Sequence, residues 1–134
     1  MKITGSCHCK AIVYEADLDP QSVGICHCKD CQKLSASAFR TLGVVQPGDF
    51  KLTKGEPKIY VKTGDNGNQR EQAFCGVCGS GIYSASPGNG PKEHNLRMGT
   101  VDQADQFKPQ FQIWCNSALP WLPGIDTPEK SDRQ

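Results

Sequence analysis

Apolar and polar positions alternate over short runs along most of the chain, and glycine, proline and asparagine interrupt the runs every few residues. That pattern predicts strands joined by turns. Ala11-Ile12-Val13-Tyr14-Glu15 has the β-branched and aromatic content of a strand, and Asp17 to Gln21, with Pro20, reads as the turn after it. Further strands are expected at Ser22 to Ile25, Phe39 to Val45, Phe50 to Thr53, Lys58 to Lys62, Gln69 to Phe74 and Gly81 to Ala85. Asn95 to Thr100 is a short strand or extended segment, and Gln110 to Cys115 is the last strand candidate. Asn66-Gly67 signals a hairpin, because both residues tolerate positive φ. Lys29 to Leu34 is the one helical turn the pattern suggests. The expectation is a mainly β single domain over residues 1–123, followed by a polar tail over residues 124–134.

Composition changes this picture in one respect. A chain of 134 residues can bury roughly two-thirds of its unfolded surface, yet only 37% of its residues are hydrophobic, and 14 Gly and 9 Pro mark a turn-rich chain. Bound metal would supplement such a core. Fifteen Lys+Arg against 14 Asp+Glu leave a net charge of +1 with no long run of either sign. That balance excludes the electrostatic footprint of a nucleic-acid or anionic-membrane partner and fits a small-molecule one. Met1 to Cys7 lacks the apolar run of a signal peptide and no stretch is long enough to span a bilayer, so a cytoplasmic location is expected. Thiols stay reduced there, which turns the cysteines from a disulfide framework towards metal or thiol chemistry.

Seven of the 8 cysteines sit at ligand-like spacings: Cys7-His8-Cys9, Cys26-His27-Cys28-Lys29-Asp30-Cys31 and Cys75-Gly76-Val77-Cys78-Gly79. Cys75 and Cys78 form a knuckle in which Gly79 can take the positive φ that turns the chain beneath a metal. Cys7 and Cys9, two apart, project to one side of an extended segment and can complete a four-thiolate site. Cys26, Cys28 and Cys31 then offer three thiolates and leave a fourth position, the pattern of a catalytic zinc open to water or substrate. Cys115 is either the fourth ligand, which would close the site, or a buried free cysteine beside Trp114, and its apolar strand setting favours the latter. His8 and His27 lie between cysteines and point away from the ligands in an extended segment, so packing or hydrogen bonding suits them better than ligation. His94 is either a surface residue or an acid/base, and Lys29 and Asp30 read as solvated turn residues.

Gly5-Ser6-Cys7-His8-Cys9, the three-cysteine cluster with Ser35-Ala36-Ser37-Ala38-Phe39 after it, Phe74-Cys75-Gly76-Val77-Cys78-Gly79-Ser80 and the late Pro120-Trp121 together resemble the glutathione-dependent formaldehyde-activating enzyme (GFA) family, also called the centromere protein V domain family. The resemblance runs from about Lys2 to Trp121 and implies a β-tent fold. It implies two zinc ions per chain, a structural one on Cys7, Cys9, Cys75 and Cys78 and a catalytic one on Cys26, Cys28 and Cys31. The activity it implies is that of a carbon-sulfur lyase on a thiol–aldehyde adduct, interconverting S-hydroxymethylglutathione with glutathione and formaldehyde. Lys10 and Ala36 stand where the family often has glycine, and Gln112 stands where it often has histidine. The rival expectation is a non-catalytic zinc-binding interaction module with both metals structural.

Overall fold

In the computed structural model, which describes residues 1–123, the chain folds into two sheets with a single α-helix among the described residues. The smaller sheet has the order β1-β2-β5, built from β1 (Lys2–Ser6), β2 (Val13–Asp17) and β5 (Phe50–Lys54). In the larger sheet, β3 (Val23–Cys26), β4 (Arg40–Val45), β9 (His94–Arg97), β8 (Gly81–Ala85), β7 (Gln69–Phe74) and β6 (Lys58–Thr63) follow one another, all antiparallel. β10 (Phe111–Ile113) adds to the free side of β3 in parallel, matching Gln112 with Ile25. The helix α1 (Lys29–Ser35) leads from β3 to β4. The mainly β fold is therefore as expected, while the tail expected over residues 124–134 lies outside the described residues.

The core collects the inward residues of both sheets. Alternation in β1 and β2 buries Ile3, Tyr14 and Ala16, which join Val45, Ile82, Ala85 and Leu96 of the larger sheet. Gly5 is required where it stands, because a Cβ there would collide with the Tyr14 ring and the Thr100 carbonyl. Tyr14, fully buried, shares a hydrogen bond of 2.8 Å with Thr100 Oγ1. A chain of aromatic contacts crosses between the sheets, with Phe50 5.4 Å from Tyr14 and 5.1 Å from Tyr83. His94 stacks on Phe50 at 4.5 Å, so it belongs to this interior packing, and burial lowers its pKa.

Two expected strands end early. β9 stops at Arg97, and Met98 to Thr100 form a short 3-10 turn that buries Met98. β10 stops at Ile113, because Trp114 adopts a left-handed conformation with φ 56° and swings the chain into another such turn at Cys115–Ser117. β6 exposes Ile59, Tyr60 and Val61, since it is an edge strand whose outer side has no neighbour in the sheet. Among the described residues no helix is long and apolar enough to cross a membrane.

Candidate metal centres and active site

The first cysteine cluster lies where the two sheets meet. Cys7 and Cys9 sit in the loop closing the β1–β2 hairpin, and Cys75 and Cys78 in the turn between β7 and β8. Each turn is tied to its own sulfur. The Ile12 N–H donates to Cys7 Sγ at 3.3 Å and the Val77 N–H to Cys75 Sγ at 3.4 Å. Gly79, at φ 79°, lets its N–H return to the Cys75 carbonyl at 2.9 Å. The sulfurs of Cys7 and Cys9 are 3.6 Å apart, and those of Cys9 and Cys75 are 3.8 Å apart. A tetrahedron with metal–sulfur bonds near ~2.3 Å has edges of about 3.8 Å, so the donor type and the spacing both fit a four-thiolate metal site.

Cys26, Cys28 and Cys31 form the second cluster, with sulfurs all within 4.8 Å of one another. Cys26 ends β3, Cys28 caps α1 and Cys31 stands in its first turn, donating its backbone N–H to Cys28 Sγ at 3.3 Å. Three thiols from one strand end and one helix start fit a metal equally well in chemistry, and here the protein stops at three. Among the described residues no fourth His, Cys, Asp or Glu joins them. Cys115 is exposed and outside the cluster, which corrects the expectation of a buried cysteine: the left-handed turn at Trp114 takes it off the strand and out to solvent.

The histidines divide. His27 is buried, packs against Phe39 and pairs its Nε2 with Gln112 Oε1 at 2.7 Å, in keeping with a packed, hydrogen-bonded residue. Gln112 thus fixes the ring from the neighbouring strand, and the His27 N–H donates to the Ile113 carbonyl at 3.1 Å. His8 is instead exposed, because its segment bends at Lys10 and turns the ring outward; its backbone N–H donates to Ser80 Oγ. Asp30 does more than meet solvent, since it pairs with Lys62 of β6 at 2.7 Å and links the helix to the far edge of the sheet.

Two arginines were not singled out by sequence reasoning. Arg40 opens β4 directly opposite Cys26, is only 6% exposed, and lies beside Cys31. Burial alone would raise the Cys31 pKa, but the Arg40 guanidinium together with the Cys28 and Cys26 thiols outweighs it and holds that thiol below its usual value. Arg97, at the end of β9, donates through Nη2 to Gln72 Oε1 at 2.6 Å. Burial, reinforced by repulsion from Arg40, lowers the Arg97 pKa to about 9, still charged at neutral pH. The only sequence signal for either residue is a lone cation between apolar strand positions.

The family model described as glutathione-dependent formaldehyde-activating enzyme matches residues 2–117. The chain belongs to this family. An uncharacterized lyase of Schizosaccharomyces pombe is 28% identical over 81 residues, a stretch that makes up 60% of this chain and 56% of that protein. The chain thus matches little more than half the length of this curated relative. A crystal structure of a Rhodobacter sphaeroides protein superposes with a TM-score of 0.60 at 17% identity, covering 81% of this chain and 98% of that one, and so shares the fold. The GFA family and the lyase name of the relative support a lyase-type enzyme.

Two places where GFA proteins often carry glycine gain a physical meaning here. Lys10 and Ala36 both adopt left-handed backbone, with φ 62° and 49°. Ala36 ends α1 and donates its N–H to the Gln32 and Lys33 carbonyls, the usual task of a glycine at a helix end. Ala36→Gly is therefore expected to stabilise the domain by about 0.5–1 kcal/mol, read as a higher denaturation midpoint at unchanged slope.

Proposed function

We propose that this chain is a carbon-sulfur lyase acting on a thiol–aldehyde adduct, with S-hydroxymethylglutathione, glutathione and formaldehyde the reactants that the family name suggests. We propose zinc at both clusters, two ions per chain: a structural one on Cys7, Cys9, Cys75 and Cys78, and a catalytic one on Cys26, Cys28 and Cys31. The all-thiolate donor sets and the 3.6 and 3.8 Å sulfur spacings support that choice of metal. The observation that carries the reading is the second cluster, where three thiols converge and, among the described residues, no fourth protein donor closes the set. Lewis acidity towards the sulfur or oxygen of the adduct is what the ion supplies when bound.

Cleavage of such an adduct breaks the C–S bond and leaves its electron pair on sulfur. The hydroxyl oxygen gives up its proton as the carbonyl forms, and that proton balances the new thiolate. The chain's own contribution is positional and electrostatic. Arg40, buried beside Cys31, holds positive charge close to where the thiolate develops and needs no reorganisation to do so. Gln112 keeps the His27 ring fixed behind the cluster, but an amide cannot itself carry a proton. All eight cysteines are free, which suits a reducing compartment, and we propose the cytoplasm. A small thiol or adduct is the partner this site suits, and the net charge of +1 argues against nucleic acid.

The test is zinc per chain on protein purified anaerobically without chelator, for the parent and for Cys115→Ser, together with the rate of exchange between glutathione and isotopically labelled formaldehyde. About two zinc ions in both proteins, with accelerated exchange in the parent, are expected. Loss of one zinc in Cys115→Ser would mean a closed second site and would replace the lyase with a non-catalytic zinc module.

A further inference from the structure

A pocket of about 380 Å³ is lined by Arg40, Arg97, Gln72, Tyr60, Phe74 and Tyr83, and Arg40, which lies beside Cys31, connects it to the second cluster. We infer that this pocket is a carboxylate subsite for the thiol half of the substrate, with Arg97 its principal contact; the inference rests on the lyase reading of the adjacent cluster. Two guanidiniums, Arg40 buried and Arg97 half-buried, face a single pocket, and among the described residues neither forms an ion pair with a carboxylate. Arg40 Nε is buried and has no hydrogen-bond partner at all. Arg97 has only neutral partners, Gln72 Oε1 at 2.6 Å and the Asn95 carbonyl at 3.4 Å. Arg40 has the thiols of the second cluster beside it, whereas Arg97 is partly withdrawn from water with no carboxylate near it, which is costly, so the arrangement is complete only when an anion enters.

Charge arithmetic points the same way. Three thiolates and a divalent ion sum to one negative charge, which the guanidinium of Arg40 beside Cys31 balances. Arg97 is then left over, and it matches one monoanion. Phe74 and Tyr83 give the pocket an apolar wall, which suits an organic acid better than an inorganic ion. Because Arg40 both lines the pocket and touches the cluster, one small molecule can set its sulfur at the cluster and its carboxylate against Arg97. Planar carboxylates also match the guanidinium fork, which adds geometric selectivity to charge.

Calorimetry on the zinc-loaded protein tests this with four probes: 3-mercaptopropionate, its neutral analogue 3-mercaptopropanamide, propionate and inorganic phosphate. The acid is expected to bind about tenfold or more tightly than the amide, and Arg97→Gln to cut that preference to about twofold while zinc content stays the same. Arg97 is the better position to vary, because changing Arg40 also disturbs Cys31. The acid–amide comparison on the unaltered protein carries the test even if Arg97→Gln does not fold. Propionate reads the subsite without the cluster, so propionate binding that Arg97→Gln weakens supports the subsite even in a protein that turns over no adduct. Equal binding of acid and amide by a protein that does turn over adducts would overturn the subsite and leave the lyase standing. Phosphate binding as tightly as propionate would overturn the choice of carboxylate.

Discussion

Cys78→Ala is expected to leave the chain largely unfolded under conditions where the parent is folded, with the zinc of the first cluster lost. The argument is one of scale. A structural zinc on thiolates contributes an apparent binding free energy of about 10–16 kcal/mol, whereas a whole domain is stable by only about 5–15 kcal/mol. Here the four proposed ligands come from turns of both sheets, which otherwise meet through a core drawn from a chain with 37% hydrophobic residues. The remaining three thiols would hold a metal less tightly, and two of them, Cys7 and Cys75, are buried. The Ser80 hydroxyl, followed by the Ser80 N–H, draws the Cys78 pKa down from 9.0 to about 5. In the metal-free chain the stabilisation this gives increases as pH rises from about 5 to the ordinary thiol value and is lost as pH falls through about 5. Far-UV circular dichroism with zinc analysis checks the variant, and chelator added to the parent at neutral pH should reproduce it. A Cys78→Ala protein that stays folded with full activity would sink the division of the cysteines into structural and catalytic sets.

Cys28→Ser is expected to do the opposite: keep the fold, lose the second zinc and drop turnover to the uncatalysed rate, a fall of at least about a thousandfold. Cys28 is half-buried and lies outside the hydrophobic core, so nothing in the packing depends on its sulfur. Its local task is to cap α1 by accepting the Cys31 N–H, and a serine hydroxyl is among the preferred groups for that position. The melting temperature should then stay within a few degrees of the parent, since a cap change is worth about 1 kcal/mol or less. Parent-like turnover in a variant with one zinc would remove the second cluster from the chemistry.

The cysteine clusters were legible in the sequence because their chemistry is local: two- and three-residue spacings already fix which sulfurs can share an ion. Strands were legible for the same reason, since alternation within a run needs no knowledge of its partner. What escaped depended on distant parts of the chain. Arg40 gains its meaning only when β4 pairs with β3 and sets it opposite Cys26, and Arg97 only when β9 lies against β4. The exposure of Ile59, Tyr60 and Val61 likewise follows only from the order of strands, which leaves β6 at the edge. Cys115 looked buried because a strand running through it would bury it, and one left-handed residue, Trp114, ends that strand first. Conversely, the positions of Lys10 and Ala36 were noticed as departures from a pattern, but only their backbone angles explain why glycine is the easier residue there.

The parallel pairing of β10 with β3 bears on the order in which a growing chain can finish itself. Cys26, Cys28 and Cys31 leave the ribosome early, yet Gln112, which steadies His27 between them, is made 85 residues later. The first cluster can close once Cys78 has emerged, when the smaller sheet has all its strands and the larger one still lacks β8, β9 and β10. The second stays uncovered on the β10 side until the final strand arrives, for the whole interval in which those residues are being translated. During synthesis, then, the three thiols of the proposed catalytic site are also the ones longest exposed to oxidants and to competing metals, so on that reading the fidelity of metal loading rests on how quickly a three-residue edge strand docks.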